Sequence, residues 1–271
     1  MLKPLFLCAC LALGLVPSAA TAGGSPFSLT SVADVSILPG WRTDRGTHVA
    51  ALRVVLAPGW KTYWRAPGES GIPPRFDWQG SRNLGRVEFH WPTPEVFEQN
   101  GMRTVGYKHE LILPIELTPD RPGQDITLRA EVELGVCQDI CMPLTVRVAA
   151  DLPPDAAPDP RIRAALDARP FTAAQAGLRG ARCAVEPIAD GLRITATLTL
   201  PHLGGGEIVV FEHPDQGIWV AEAQARRTGD ALTAVTEMVP PTSRPFSLDR
   251  SSVRMTVLGG GRAVDVLGCT G

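Results

Sequence analysis

Apolar and polar residues alternate with a period of two along much of the chain, and the longest such run covers residues 126–136. Every even-numbered position of that run is apolar, whereas most odd-numbered positions are polar or charged. Successive side chains of a β-strand point to opposite faces of a sheet, so the run predicts a long strand with one buried face. Residues 144–148 repeat the alternation, and residues 52–56 and 111–115 are more uniformly apolar, which favours strands buried on both faces.

Four prolines within residues 151–160 interrupt the strand patterns. A proline cluster of this kind is typical of a linker. Asp159 followed by Pro160 has the pattern of a helix N-cap with proline at the first helical position, which predicts a short helix over residues 161–168. We therefore assign residues 151–169 to a Pro-rich linker that contains a short helix.

Strand patterns resume beyond the linker, at residues 192–200, 207–211, 218–220 and 253–257. Short strands separated by Gly- and Pro-rich turns are typical of β-sandwiches. The chain is therefore predicted to be all-β, with one domain over residues 24–150 and a second, β-sandwich-like domain over residues 170–271.

The first 22 residues have the pattern of a secretory signal peptide. Lys3 precedes a charge-free run over residues 4–16, and the small residues at 20–22 provide a cleavage site. The apolar run is about 13 residues long, whereas a membrane-spanning helix needs roughly 20. We predict that residues 1–22 are a cleaved signal and that the protein is exported to an oxidising compartment. No later stretch is apolar enough for the mature protein to be transmembrane.

Charge and motifs exclude several classes of function. The formal net charge is −2 and the chain has no basic block, which argues against a nucleic-acid partner. The sequence contains no His-Glu-x-x-His metal motif, no nucleotide-binding glycine loop and no Gly-x-Ser-x-Gly nucleophile elbow. No cofactor is expected, and the cysteines are the main candidates for chemistry.

Four cysteines follow the signal peptide, namely Cys137, Cys141, Cys183 and Cys269. An even number of cysteines in an exported protein indicates disulfide bonds. In the chain-entropy estimate, a Cys183–Cys269 bridge stabilises the fold by about 4–5 kcal/mol, against roughly 2 kcal/mol for Cys137–Cys141. The long pair is the better structural disulfide, and the short pair is the better candidate for exchange. Spacing alone leaves a structural and an exchanging role for the short pair equally open.

The short spacing also constrains the local backbone. An extended chain of four residues spans roughly 13 Å, whereas the Cα atoms of a disulfide lie about 4.4–6.8 Å apart. Cys137 and Cys141 can therefore bond only if the chain turns between them, and Pro143 favours a strand edge or a loop exit. Asp139 would raise the pKa of a nearby thiol. Three intervening residues in a β pattern differ from the thioredoxin motif, which has two in a βαβ unit.

A further set of segments runs in order within residues 27–150. They are GWKTYW at 59–64, GESGIPP at 68–74, FDW at 76–78, WPTPEVF at 91–97, GY at 106–107, LILPI at 111–115 and VCQDICMP at 136–143. In order and spacing this set resembles the N-terminal periplasmic domain of the thiol:disulfide interchange protein DsbD, especially its ScsB-like relatives. The second half of the chain resembles the same relatives more loosely.

The resemblance implies an immunoglobulin-like fold and a Cys137–Cys141 pair that shuttles between disulfide and dithiol. In the family, this domain takes electrons from a membrane-embedded partner domain and passes them to periplasmic thioredoxin-like proteins through mixed disulfides. This sequence has neither transmembrane segments nor a thioredoxin motif. The resemblance therefore implies a periplasmic protein whose electron donor, either membrane-embedded or soluble, is supplied by another chain.

The resemblance also implies auxiliary residues around the cysteines. The family covers its cysteines with a flexible loop that carries an aromatic residue, and residues 94–101 are the matching stretch, which makes Phe97 the candidate cap. Tyr63 matches an aromatic residue near the family's active site. A packed core position is the alternative for both rings. Glu95 is a candidate acid/base, with a solvated loop carboxylate as its alternative.

Two other functions are compatible with the same residues. The thiolates of Cys137 and Cys141 with the thioether of Met142 form a soft ligand set suited to Cu(I), to which His90 and His109 could add ligands. A copper-binding or copper-tolerance protein is therefore one alternative. The other is a non-catalytic β-sandwich binding module in which the short bridge is only structural, because fold does not imply function.

Overall fold

The computed structural model describes residues 32–99 and 101–271, and strands dominate both ranges. The predicted signal peptide at residues 1–22 lies outside the described residues. The first half of the described chain contains the strands β1 (Ala33–Arg42), β2 (His48–Leu56), β3 (Lys61–Tyr63), β4 (Arg75–Asp77), β5 (Arg86–Phe89), β6 (Glu95–Gln99), β7 (Met102–Lys108), β8 (Glu110–Thr118), β9 (Ile126–Cys137) and β10 (Cys141–Leu152).

The second half of the described chain begins with the helix α1 (Pro160–Asp167). It continues with the strands β11 (Phe171–Thr172), β12 (Gly180–Pro187), β13 (Leu192–Thr199), β14 (Ile208–Glu212), β15 (Trp219–Val220), β16 (Gln224–Thr228), β17 (Ala231–Val239), β18 (Arg254–Gly259) and β19 (Arg262–Leu267). Within the two described ranges, no helix has the length and apolar character that crossing a bilayer requires.

Strands β1–β10 form two antiparallel sheets packed as an immunoglobulin-like sandwich. One sheet has the strand order β1-β2-β8-β5, and the other has the order β10-β9-β3-β7-β6, with β4 paired to β9. Leu52 and Leu113 of the first sheet share a core cluster with Val132 and Leu134 of the second. The predicted immunoglobulin-like sandwich is confirmed.

Strand β9 shows how the alternating pattern positions the cysteine end of the sheet. Its even-numbered residues are all buried, as the period-two pattern predicts. The odd-numbered residues are partly or fully exposed up to Glu133, but Gly135 and Cys137 are buried as well. Tyr63 and Ile72 lie against the outer face of β9 at Gly135. The last residues of β9 are therefore covered on both faces.

The segment between the two sandwiches contains the predicted helix. The Asp159 carboxylate accepts a hydrogen bond of 2.8 Å from the backbone N–H of Arg161, and Pro160 is the first helical residue. Ile162 is buried in a cluster with side chains of β1 and β2, which docks the helix on the first sandwich. Strand β10 continues to Leu152, past the predicted start of the linker, because its ladder with β9 extends that far.

Strands β11–β19 form a second pair of sheets, which confirms the predicted second β-sandwich. One sheet has the order β11-β19-β18-β14, and the other has the order β12-β13-β17-β15, with β16 also paired to β17. Cys183 of β12 forms a disulfide with Cys269, which follows β19, and their Cα atoms are 5.7 Å apart. This bond links the two sheets. The domain boundaries at residues 150 and 170 stay predictions.

The two sandwiches contact each other through ion pairs and apolar side chains. Arg65 donates two hydrogen bonds to the Glu212 carboxylate, at 2.8 and 2.9 Å. Arg103 lies 2.6 Å from Glu222. Leu258 of the second sandwich belongs to the core cluster of the first. Cys137, at the end of β9, belongs to the first sandwich. The second sandwich packs against that first sandwich.

Candidate functional site

The two cysteines of the short pair lie at the end of the β9–β10 hairpin. Cys137 is the last residue of β9 and Cys141 is the first of β10, and the two residues are directly opposite each other in the ladder. They form a disulfide with a Cα–Cα distance of 4.1 Å. Residues 138–140 provide the turn that the spacing requires. Strand β10 is at the edge of its sheet, a position that accommodates Pro143.

The two bonded cysteines differ in their access to solvent. Cys137 is 1% exposed, because β9 lies between β10 and β3. Cys141, on the edge strand, is exposed. Ile140, the last residue of the turn, is 74% exposed. Of the two bonded residues, only Cys141 therefore has appreciable surface in contact with solvent.

Tyr63, the last residue of β3, contacts the exposed cysteine. Its hydroxyl donates a hydrogen bond to Cys141 Sγ at 3.0 Å. The residue is buried but belongs to none of the hydrophobic core clusters of the described residues. Burial raises the pKa of Tyr63, so the phenol keeps its proton and stays a donor. The structure thus brings Tyr63 and the cysteine pair together, and an auxiliary role of Tyr63 in their chemistry stays a prediction.

Gly135 provides the space that the Tyr63 ring occupies. A Cβ atom at position 135 would lie 2.6 Å from Tyr63 Cδ2 and 2.6 Å from Ile72 Cβ. The preceding residue, Thr62, donates a hydrogen bond of 2.8 Å from Oγ1 to the Gly135 carbonyl and ties β3 to β9. Alternation along β9 does not single out Gly135, because its role depends on residues that are distant in the chain.

Two lysines continue the row of the cysteines across the sheet. Lys61 of β3 lies directly opposite Cys137 of β9, and on its other side it lies opposite Lys108 of β7. Residues directly opposite each other share one face of a sheet, so Cys141, Cys137, Lys61 and Lys108 form a row across four adjacent strands. Neither lysine could be identified from the sequence pattern, since only the strand order brings them beside the cysteines. The one available signal was the position of Lys61 within the motif at residues 59–64.

Phe97 packs against the lysine end of this row. Its ring centroid lies 5.4 Å from Lys61 Nζ and 4.5 Å from Lys108 Nζ, within the range of cation–π attraction. Phe97 is 7% exposed and lies on β6. The stretch expected to form a flexible loop is instead one strand of a hairpin, because β6 pairs with β7 along its whole length. The role of Phe97 as a cap over the cysteines stays a prediction.

The charged side chains around Phe97 differ in their exposure to solvent. Lys61 is 7% exposed, and burial lowers its pKa, with a further decrease from the positive charge of Lys108. Glu95 is largely exposed, and its Oε2 lies 3.8 Å from Lys108 Nζ. An exposed pair of this kind contributes at most about 1 kcal/mol. The structure therefore places Glu95 against Lys108, and its acid/base role near the cysteines stays a prediction.

The residues considered as copper ligands are separated. Met142 packs against the core cluster, whereas Cys141 lies on the other face of β10, because adjacent strand residues alternate. His90 pairs with Glu116 at 3.1 Å, and His109 occupies the turn between β7 and β8. Among the described residues, no group of three or more His, Cys, Asp and Glu side chains is placed to hold a metal ion. Met142 is thus not positioned to complete a site with the two cysteines.

The fold and the site together define a class of domain, namely an immunoglobulin-like sandwich that carries a pair of cysteines on an edge hairpin. The model of the family "Thiol:disulfide interchange protein DsbD, N-terminal" matches residues 34–153. Residues 34–153 therefore match the DsbD N-terminal domain family, which confirms the resemblance found in the sequence.

The fold is also similar to that of a solved structure, the N-terminal periplasmic domain of ScsB from Proteus mirabilis. The two chains are 23% identical, with a TM-score of 0.62, and the match covers 88% of this chain and 92% of the other. At this level of identity the similarity shows the fold alone, and its extent means that it includes both sandwiches. The comparison with curated proteins finds no match.

Proposed function

We propose that this protein is a periplasmic thiol–disulfide exchange protein that relays electrons through Cys137 and Cys141. The family of the N-terminal domain supports reversible disulfide chemistry. The observation that carries the proposal is the asymmetry of the pair, in which an exposed Cys141 on the sheet edge is bonded to a buried Cys137. Such a pair has one sulfur that a partner can attack and one that leaves into a protected environment.

Reduction of the pair begins when a thiolate of the electron donor attacks Cys141 Sγ. The electron pair of the Cys137–Cys141 bond leaves on the Cys137 sulfur, and a mixed disulfide joins the donor to Cys141. The second thiolate of the donor then attacks the donor's own sulfur in the mixed disulfide. Cys141 is released as a thiolate, the donor ends as a disulfide, and two electrons have passed to this protein.

The electrons leave by the same steps in reverse. The Cys141 thiolate attacks the disulfide of an acceptor, and the Cys137 thiolate then attacks Cys141 Sγ and releases the reduced acceptor. The Tyr63 hydroxyl, 3.0 Å from Cys141 Sγ, donates to the sulfur in either direction. A hydrogen bond to a charged group favours its charged form, so Tyr63 supports the Cys141 thiolate.

The partners are assigned by the chemistry of this relay and by the resemblance. The acceptors are periplasmic thioredoxin-like redox proteins, and the donor is a membrane-embedded dithiol carried by another chain. The solved ScsB domain is described as periplasmic, and the signal-peptide pattern at residues 1–22 supports the same compartment here. Ile140 offers an exposed apolar contact next to the sulfur that a partner must reach.

Trapping of mixed disulfides tests the proposal. Cys137→Ser leaves the exposed Cys141 without the thiol that resolves mixed disulfides, whereas the matched control Cys141→Ser leaves only the buried Cys137. We expect Cys137→Ser protein incubated with a periplasmic extract to form complexes with thioredoxin-like proteins, which a reductant releases for identification by mass spectrometry. Cys141→Ser should capture far less. Failure of Cys137→Ser to capture any redox protein, under conditions that trap a known exchange protein, would overturn the proposal.

A further inference from the structure

The chain uses lysine in an unusual way. It has only three lysines, Lys3, Lys61 and Lys108, although lysine and arginine together number 26. Lys3 lies in the predicted signal peptide. The other two are adjacent across β3 and β7, in the same row as the disulfide. In the mature protein, both lysines would thus be placed beside the redox-active pair, and all other permanently cationic side chains would be arginines.

The position of Lys61 relative to Cys137 is set by the strand ladder. The two residues are direct partners of β3 and β9, and the Cβ atoms of such partners are about 4.5–5.5 Å apart. Both residues are buried. A lysine ammonium is a compact point charge on a flexible chain, and its field acts strongly in a site that water does not screen. Lys61 is therefore the cationic side chain directly opposite Cys137 in the strand ladder, and the sulfur of Cys137 is the one that leaves during exchange.

Burial of Cys137 creates a need for such a cation. A buried thiolate loses hydration, and desolvation by itself raises the pKa of a thiol. The negative charge of Asp139 in the hairpin turn acts in the same direction. Exchange nevertheless requires Cys137 to leave as a thiolate each time a partner attacks Cys141, and a leaving thiol with a lower pKa leaves faster. A positive charge beside Cys137 offsets both effects.

We propose that Lys61 stabilises the Cys137 thiolate that is released when a partner's thiolate attacks Cys141, and that Lys108 strengthens the same positive field. The inference rests on the proposed function and deepens it. In this step the Cys137–Cys141 bond breaks, its electron pair goes to Cys137 Sγ, and the new bond joins Cys141 Sγ to the partner. Lys61 keeps its proton throughout. Lys61 favours the reduced pair over the disulfide, because only the reduced pair can contain a thiolate.

Groups on the neighbouring strands set the size of this effect. Lys108 on β7 repels Lys61 and lowers its pKa, while Glu95 on β6 partly neutralises Lys108. Tyr63, on the same strand as Lys61, donates to Cys141 and contributes no charge. The ring of Phe97 contacts both ammonium groups. Lys61 is thus expected to contribute more than Lys108, which is half-exposed.

The first experiment measures the pKa of the Cys137 thiol without any partner. In a Cys141→Ser background, the ultraviolet absorbance of the thiolate is followed against pH, with and without Lys61→Met. We expect Lys61→Met to raise the pKa of Cys137 by about one pH unit, which is about tenfold less thiolate at a fixed pH below the pKa. Lys61→Arg keeps the charge and should retain most of the wild-type value, and Lys108→Met should give a smaller increase. An unchanged pKa in folded Lys61→Met would overturn the inference.

The second experiment follows Lys61 in the wild-type protein and uses Lys61→Met only to assign its signal. Lysine-selective isotope labelling gives the signals of few side chains, and the signal that Lys61→Met removes is assigned to Lys61. Coupling is reciprocal, so the Lys61 ammonium should titrate at higher pH in the reduced protein, where the Cys137 thiolate forms, than in the disulfide form. Equal titration of Lys61 in both redox states would contradict the inference.

The pKa measurement and the trapping experiment together distinguish failure of this inference from failure of the proposed function. If Lys61→Met raises the pKa of Cys137 but Cys137→Ser traps no partner, the exchange role fails while the electrostatic role of Lys61 stands. If partners are trapped and the pKa of Cys137 does not respond to Lys61→Met, the exchange role stands and the role of Lys61 fails.

Discussion

A single methyl group at position 135 tests the packing that holds Tyr63 against the disulfide. In Gly135→Ala the new Cβ would lie 2.6 Å from Tyr63 Cδ2, 2.6 Å from Ile72 Cβ and 2.9 Å from the Ile72 backbone oxygen. Carbon atoms in contact are best separated by about 3.5–4.0 Å, so the ring must move by about 1 Å. Overpacking of this kind costs about 1–3 kcal/mol. The same shift is expected to break the 3.0 Å hydrogen bond from Tyr63 to Cys141 Sγ.

Urea unfolding of the oxidised protein measures this cost. We expect the Gly135→Ala midpoint to fall by the equivalent of about 1–3 kcal/mol, with an unchanged denaturant slope. Gly180→Ala is the matched control, because Gly180 also lies in a strand and a Cβ there would meet no atom within 4 Å. The control should stay within about 1 kcal/mol of the wild type.

The role of the ring itself is isolated by repeating the substitution in a Tyr63→Ala background. Removing the ring relieves one of the contacts, so Gly135→Ala should cost less there, with Ile72 accounting for the remainder. Equal stability of Gly135→Ala and the wild type would refute this account of the packing. If Gly135→Ala lowers the stability equally with and without the Tyr63 ring, the ring is not the group that the new methyl displaces.

Three further substitutions have expected outcomes. Tyr63→Phe removes only the hydroxyl and should raise the pKa of the Cys141 thiol by about one to two pH units, as read by thiol titration in a Cys137→Ser background, because a hydrogen bond to a charged group contributes about 1.5–3 kcal/mol. Ile140→Asp at an exposed position should leave the unfolding midpoint within about 0.5 kcal/mol of the wild type but slow exchange with a thioredoxin-like partner about five- to tenfold, and an unchanged rate would exclude Ile140 from docking. The Glu207 side chain is 2% exposed and lies 2.6 Å from Arg227. Burial raises the pKa of Glu207, but hydrogen bonds from Arg227 and a backbone amide outweigh it and the pKa is lowered. Its contribution to stability is therefore present above the unfolded pKa of about 4.3 and is lost as the pH falls through the lower folded value, so unfolding midpoints measured against pH should decline less steeply in acid for Glu207→Gln.

The strands and the cysteine hairpin could be predicted because their signals are local. The alternation over residues 126–136 corresponds to β9, and the short spacing of Cys137 and Cys141 required a turn between them if they were to bond. The helix N-cap at Asp159 is likewise encoded by adjacent residues. Each of these features depends on a few consecutive side chains and on backbone geometry, which a single sequence contains.

Features that depend on the strand order could not be predicted in the same way. Lys61 and Lys108 are 47 positions apart in the numbering and meet the cysteines only because β3 lies between β9 and β7. Met142 follows Cys141 directly, yet strand alternation sends it to the core. Phe97 was expected on a loop and lies on β6, since pairing with β7 is a tertiary property. Proximity in sequence was therefore a poor guide to which side chains share the site.

The reduction potential of the Cys137–Cys141 pair tests the central claim most directly. The protein is equilibrated in thiol–disulfide buffers of defined potential, free thiols are alkylated, and the state of each disulfide is read by mass spectrometry. A reversible exchange centre should have a potential above about −300 mV, whereas the Cys183–Cys269 bond, the internal reference, should lie below that value. A potential below about −300 mV for Cys137–Cys141 would identify it as an inert structural bridge and would contradict the relay.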